Sequence, residues 1–155
     1  MAGSPPRELA LRAVRDDDIS AFFEHQRDER ATAMAGVPAQ DREQHRAHWD
    51  RIRSDESVVT YTITEGDLVV GNIVSWLEDG CREIGYWVDP QHWGRGIASR
   101  ALRLFLEEVG ERPLRAHVVR HNVASIRVLE KAGFRRVGQP CPAEDGTVES
   151  VYELV

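Results

Sequence analysis

The chain reads as a mixed α+β protein, with a central, mostly antiparallel sheet of about seven strands and helices on both faces. Three observations predict this class. Short strand-like runs recur along the 155 residues. Two of them flank the tight turn Glu65-Gly66-Asp67 and so form a hairpin. The run Arg82 to Val88 is followed by an amphipathic helix and then another strand, the order of a right-handed parallel crossover.

Taken in order, Leu9 to Val14 is a first strand. Asp16, Asp17 and Asp18 follow, and carboxylates there suit the free amides and dipole of a helix N-terminus. Ile19, Phe22, Phe23 and Gln26 continue that helix on one face. Ala31 to Ala39 is rich in small residues and reads as irregular. A second helix runs from about Asp41 to Ser54, with His45, His48, Trp49 and Ile52 on one face. Val58 to Thr64 alternates cleanly, and Leu68 to Leu77 returns beside it. Asp79-Gly80 turns into the strand Arg82 to Val88, which Asp89-Pro90 ends. From Ile97, the positions Ala98, Ala101, Leu102, Phe105 and Val109 follow helical spacing. Leu114 to Val119 is a strand. His121-Asn122 leads into a helix, Val123 to Ala132, closed by Gly133 in a left-handed cap. Phe134 to Gly138 and Ser150 to Leu154 read as a closing strand pair around Asp145-Gly146.

Composition narrows the function classes. The chain is 41% hydrophobic and 30% charged, ordinary for a soluble globular protein. No run approaches a membrane span, and the first residues, Met-Ala-Gly-Ser-Pro-Pro-Arg, lack the apolar core of a signal peptide. A cytoplasmic location is therefore expected, with residues 1–7 disordered. Net charge is −6, which argues against a general nucleic-acid surface. Cys81 and Cys141 have no metal-ligand spacing and read as free thiols. His45 with His48, and His117 with His121, lie near each other in sequence but lack a third ligand, so packed or solvated histidines are expected and no metal site.

The most informative stretch is Gln91-His92-Trp93-Gly94-Arg95-Gly96-Ile97-Ala98, between a strand and a helix. Two glycines at a helix mouth let the backbone approach a ligand closely, with free N–H groups facing outward. The helix dipole adds favourable potential for an anion, and Arg95 can supply a full positive charge or point to solvent. Position 99 is Ser99, so no dinucleotide Gly-x-Gly-x-x-Gly is present, and no Gly-Lys-Ser/Thr ending marks an ATP-type loop. A pyrophosphate-bearing cofactor, and hence an enzyme, is the reading that fits.

In these residues the chain resembles the GCN5-related N-acetyltransferase (GNAT) family, from about Leu9 to Leu154. Gln91 to Ala98 matches that family's acetyl-CoA loop, Gln/Arg-x-x-Gly-x-Gly/Ala. Glu83-Ile84-Gly85-Tyr86-Trp87-Val88-Asp89-Pro90 and the stretch Asn122 to Phe134 resemble its ribosomal-protein N-terminal (Rim-type) acetyltransferase branch. The resemblance implies an acetyltransferase domain, expected as a single domain over residues 8–155 in a monomer or homodimer, and transfer of acetyl from acetyl-CoA to an amine-bearing substrate. It also implies that the Arg82 to Val88 strand carries a bulge and splays from Leu114 to Val119, with the pantetheine arm in the gap. Trp87 and Val88 would then meet cofactor chiefly through main chain. Gln91, His92, Trp93, Gly94, Arg95, Gly96, Ile97 and Ala98 would surround the pyrophosphate.

By the same resemblance Asn122 binds the pantetheine arm and Ser125 lies near the thioester sulfur, where a hydroxyl can protonate the departing thiolate. Asn122 is equally a helix N-cap. Glu83 is the candidate general base, since an acceptor ammonium must lose a proton before it attacks. The competing reading pairs Glu83 with Arg82 or Arg115. The His45/His48/Trp49 face is expected to line the acceptor pocket. Two readings other than acetyl transfer stay open: transfer of a longer acyl group, and a CoA-binding module without turnover.

Overall fold

A computed structural model of the chain describes residues 8–36, 40–142 and 148–155. Its elements are β1 (Leu9–Arg12), α1 (Asp16–Arg27), α2 (Glu29–Ala35), α3 (Arg42–Ser54), β2 (Val59–Glu65), β3 (Leu68–Glu78) and β4 (Cys81–Val88). A single 3-10 turn (Pro90–His92) follows. Then come α4 (Ile97–Glu108), β5 (Leu114–Val119), α5 (Val123–Lys131), β6 (Arg135–Pro142) and β7 (Val148–Leu154). The strands form one sheet in the order β1-β2-β3-β4-β5-β7-β6. Every pairing is antiparallel except β4 with β5. That is the mixed sheet and the parallel crossover expected from the sequence.

Two apolar layers hold the sheet. Ile97, Ala101, Leu102 and Phe105 of α4, with Leu129 of α5, are buried against Ile63, Ile73, Ile84, Leu114, Ala116 and Val118. On the other side Ile19 and Phe22 of α1 and Trp49 of α3 form a smaller cluster with Val69 and Val74. Burial of such side chains stabilises by about 1.5–3 kcal/mol each. Asp18 anchors α1 to the sheet. Its carboxylate accepts from Arg12 at 2.6 Å, from the Arg15 amide at 2.8 Å and from the Thr62 hydroxyl at 2.7 Å. Burial opposes its ionisation, but these donors outweigh burial and hold the carboxyl at about 2.

Several local expectations change. Three helices, not two, precede the hairpin. Asp28 accepts from the Arg30 amide as an N-cap and Gly36 ends α2 in the left-handed region at φ 72°, so the alanine-rich stretch winds where irregular chain is expected. The first strand stops at Arg12 rather than Val14, and β6 runs on to Pro142. Residues 1–7, Val37 to Ala39 and the turn at Asp145-Gly146 lie outside the described residues.

The bulge falls on β3 rather than β4. Thr64 pairs with Val69 and Ile63 with Gly71, so Val70 is the extra residue, while β3–β4 runs in unbroken register from Gly71↔Val88 to Glu78↔Cys81. Gly71 is required there because a Cβ would sit 2.2 Å from the Trp87 carbonyl. The consequence for function lies on the opposite edge of β4. It pairs with β5 only at Arg82↔Leu114 and Glu83↔Arg115, and beyond that the two strands part. Among the described residues, no helix is long and apolar enough to cross a membrane.

Candidate active site

The parting of β4 from β5 opens a cleft of about 320 Å³ between the splayed strands and the helix mouths beside them. From β4 it takes Tyr86, Trp87 and Val88, and from the loop before α4 it takes His92, Trp93, Gly94 and Gly96. Ile97, Ala98 and Ser99 of α4 continue the wall, and Asn122, Ala124, Ser125 and Val128 come from the start of α5. Ala31, Met34 and Ala35 of α2 close the remaining side. Side chains alternate across a strand, so Tyr86 and Val88 face α4 and α5 while Trp87 faces the α2 side. The cleft therefore lies between the splayed strands and is lined by residues from both faces of the sheet.

The loop before α4 has the expected form. Gly94 and Gly96 stand at φ 81° and 75°, where other residues are strained, and the space where a Cβ would project is open at both. The first helical bond of α4 runs from the Arg100 amide to the Gly96 carbonyl, so the amides at the helix mouth have no intrahelical partner. On the α2 side of the cleft, the buried Trp87 indole Nε1 has no hydrogen-bond partner among the described residues. A buried donor without an acceptor costs about 1–3 kcal/mol, and a bound polar group would recover it. Unpaired β4 backbone, free amides and an orphaned donor around an apolar cleft fit an extended, polar-backboned ligand ending in an anion.

Not every loop residue reaches the cleft. Gln91 is exposed in the 3-10 turn, where its amide donates to Asp89 Oδ1 at 3.1 Å. Arg95 turns to buried Glu65, donating to both carboxylate oxygens at 2.7 and 2.9 Å, so its side chain is committed within the protein. It also donates to His92 Nδ1 at 2.8 Å. An arginine only donates, so His92 carries its proton on Nε2, which faces Asp89 Oδ2 at 3.7 Å.

At the start of α5, Asn122 is the N-cap, its Oδ1 accepting from the Ser125 amide at 3.1 Å while the residue also lines the cleft. The cap and ligand readings of Asn122 are thus compatible. The Ser125 hydroxyl lies 2.7 Å from the Tyr86 phenol. Burial pushes the phenol up to about 12, although its bond to Ser125 pulls the other way, so Tyr86 keeps its proton. Sequence reasoning passes over this phenol because it treats the Gly-Tyr-Trp-Val strand as a main-chain contact. His121 ties α2 to the same corner, donating from Nε2 to the Ala33 carbonyl at 2.7 Å.

Glu83 is not among the residues that line the cleft; it stands three residues before Tyr86 on β4, where β4 and β5 still pair. It is 4% exposed, and neither arginine proposed as its partner holds it. Arg82 is paired with Glu111 at 3.1 Å and Arg115 with Glu153 at 2.8 Å. Glu83 Oε1 instead faces His117 Nε2 at 3.2 Å, and Oε2 has no partner among the described residues. That pairing follows from the parallel register, which sequence distance hides.

The His45 and Trp49 face does not line the cleft. Trp49 packs at a tilt against Phe22 with centroids 4.8 Å apart and His45 meets Phe23 edge-on at 5.5 Å, so the face packs α3 on α1. An amphipathic face buried as core is the common outcome. Among the described residues, no group of three or more His, Cys, Asp or Glu is placed to hold a metal ion.

Comparison with known proteins agrees with this geometry. The family model for an acetyltransferase (GNAT) domain matches residues 8–135. The probable N-acetyltransferase YjcK of Bacillus subtilis (strain 168) is 42% identical over 59 residues, covering 36% of this chain. The chain thus spans 33% of that curated relative's length. Among solved structures, the ribosomal L7/L12 alpha-N-protein acetyltransferase RimL, in complex with coenzyme A, superposes with a TM-score of 0.81 at 20% identity, covering 95% of this chain and 93% of that one. The spermidine N-acetyltransferase of Vibrio cholerae, in complex with CoA and spermine, gives a TM-score of 0.78 at 15% identity, covering 94% of each chain.

Proposed function

Because the chain belongs to the GNAT acetyltransferase family, we propose that it moves the acetyl group of acetyl-CoA onto a primary amine by direct attack within a ternary complex. The acceptor is a peptide or protein N-terminus or a small-molecule amine, and the setting is the cytoplasm. The observation that carries the reading is the splay of β4 from β5 beside the Gly94–Gly96 loop, which leaves an unpaired strand edge leading to a helix mouth. An extended pantetheine arm completes such an edge by main-chain pairing, and its pyrophosphate suits the amides before α4.

In this reading the residues divide the work. Trp87 and Val88 offer backbone to the pantetheine arm, and the orphaned Trp87 indole offers one further donor. Gly94 and Gly96, with His92, Trp93, Ile97 and Ala98 around them, cradle the pyrophosphate, while Gln91 and Arg95 keep the loop in shape from outside. Asn122 fixes the mouth of α5 and contacts the arm. The amine nitrogen forms its bond to the thioester carbonyl carbon, and the carbon–sulfur bond breaks. The ammonium proton goes to Glu83, whose Oε2 is free to take it, directly or through water. The departing thiolate takes a proton from Ser125, which Tyr86 orients, and the second proton that the nitrogen loses as the amide forms restores the Ser125 hydroxyl through water. Cys81, at the far end of β4, stands two residues further along the strand from the cleft than Glu83, in keeping with direct attack rather than an acetyl-enzyme.

The fold alone does not select the acceptor, since an alpha-N-protein acetyltransferase and a spermidine N-acetyltransferase share this architecture at comparable TM-scores. A screen of peptide N-termini, polyamines and aminoglycosides with acetyl-CoA, read by mass spectrometry, tests the proposal. A mass gain of one acetyl group on at least one amine is expected. No acetylated amine from any class would overturn it.

A further inference from the structure

Glu83 poses a problem that the reaction itself does not solve. A base buried to 4% exposure must hand its proton to solvent after every turnover, and among the described residues its carboxylate has one hydrogen-bond partner, itself half-exposed. That group is His117. Its Nε2 lies 3.2 Å from Glu83 Oε1, and its Nδ1 lies 3.6 Å from Glu149 Oε1. The His117 side chain is 42% exposed and that of Glu149 is 39% exposed, against 5% for Glu83. The three groups come from β4, β5 and β7 and stand on one face of the sheet by the observed register. On the same face Arg115 is ion-paired with Glu153 at 2.8 Å and is within electrostatic reach of Cys81 and Glu83.

We infer that His117 is a proton relay, carrying the proton that Glu83 takes from the acceptor ammonium out to Glu149 and bulk water. The inference rests on the reading of Glu83 as base. Glu83 receives the ammonium proton, and His117 accepts it at Nε2 while carrying its own proton on Nδ1. The imidazolium then releases the Nδ1 proton to the Glu149 carboxylate or to water, and the carboxylate of Glu83 is restored. One proton enters from the amine and one leaves to solvent, with no other bond changed. Exchange of the exposed ring with water resets its tautomer. His117 touches neither donor nor acceptor in this scheme; it acts through Glu83.

The test uses the full chain, acetyl-CoA and the fastest amine of the acceptor panel. His117→Gln keeps a donor facing Glu83 but cannot pass a proton, and His117→Ala leaves room for added imidazole. Both are expected to lose turnover at least tenfold while acetyl-CoA affinity by calorimetry stays within twofold. Imidazole is expected to restore turnover in His117→Ala in proportion to its neutral form and to leave the native rate unchanged. Near-native turnover in His117→Gln would reduce His117 to a positioning residue and overturn the relay, as would a loss in His117→Ala that imidazole does not restore. Glu83→Gln separates the two readings. If it is inactive while His117→Gln is native-like, the base stands and the relay falls. If Glu83→Gln turns over normally, or no amine in the panel is acetylated, both fall.

Discussion

The Tyr86 phenol stands 2.7 Å from the Ser125 hydroxyl and bridges the splayed end of β4 to the first turn of α5. The bond joins the two walls of the cleft at the point where the thioester sulfur is expected. Because burial holds the phenol at about 12, it stays protonated from pH 6 to 9 and contributes no limb to the pH–rate profile in that range. Tyr86→Phe is expected to lower kcat by about tenfold, part of the roughly 10²–10⁴-fold that a general acid supplies, because Ser125 loses its orienting partner. Steady-state kinetics check this, with KM for acetyl-CoA expected within about threefold of native, the range of one lost hydrogen bond.

The glycine loop makes a binding prediction. Gly96→Glu places a side chain at φ 75° and a negative charge in the open space beside the helix mouth. Calorimetry is expected to show at least about a tenfold loss of acetyl-CoA affinity, equivalent to about 1.4 kcal/mol. Equal binding by native and variant would show that the pyrophosphate lies elsewhere.

Asn122→Ala removes both the cap on the Ser125 amide and the proposed contact to the pantetheine arm. A stability loss of about 1 kcal/mol is expected from the cap. A separate affinity loss of about 0.5–1.5 kcal/mol is expected from the contact. Thermal melts with calorimetry on the folded variant distinguish the two. A stability loss with unchanged affinity would make Asn122 a cap alone.

Much of this site can be read from the chain itself, and the exceptions have definite causes. The run from Ile97 to Val109 carries a strong helical period because one face of α4 is core, and β5 shows the alternation of apolar Leu114, Ala116 and Val118 with Arg115 and His117. By contrast α2 spans seven residues, too few for a period, and only its caps Asp28 and Gly36 betray it. The His45/Trp49 face is legible as amphipathic, but the pattern alone does not tell a pocket wall from a buried seam. The Glu83–His117 contact joins residues 34 positions apart and exists only because β4 and β5 pair in parallel before they part. The Arg95–Glu65 pair is hidden in the same way, since it depends on how the loop folds back on β2.

Stability is expected to fall with acidification in two steps. His45 is held down to about 4 by burial, with His48 and Arg42 adding to it, and His25 and His48 are lowered in the same direction by burial. Between pH 6.5 and 4 the unfolded chain therefore binds protons that the folded chain does not, and stability declines with falling pH. Asp18, at about 2 when folded, contributes stability above pH 4 that is lost as pH falls from 4 towards 2. Each such proton adds a slope of up to about 1.4 kcal/mol per pH unit. Denaturant unfolding across pH 4–7 checks the first step, and His45→Phe is expected to make that slope shallower.

The measurement that decides between an enzyme and a binding module is thiol release from acetyl-CoA in the presence and absence of primary amines. Free CoA thiol is expected to appear only with an amine present, one thiol for each acetylated amine, and to drop by roughly 10²–10⁴-fold in Glu83→Gln without loss of acetyl-CoA affinity. Thiol release confined to a longer acyl-CoA would change the donor but keep the chemistry. Acetyl-CoA bound at the Gly94–Gly96 loop with no thiol released for any amine or any acyl chain would contradict acyl transfer and leave a CoA-binding module.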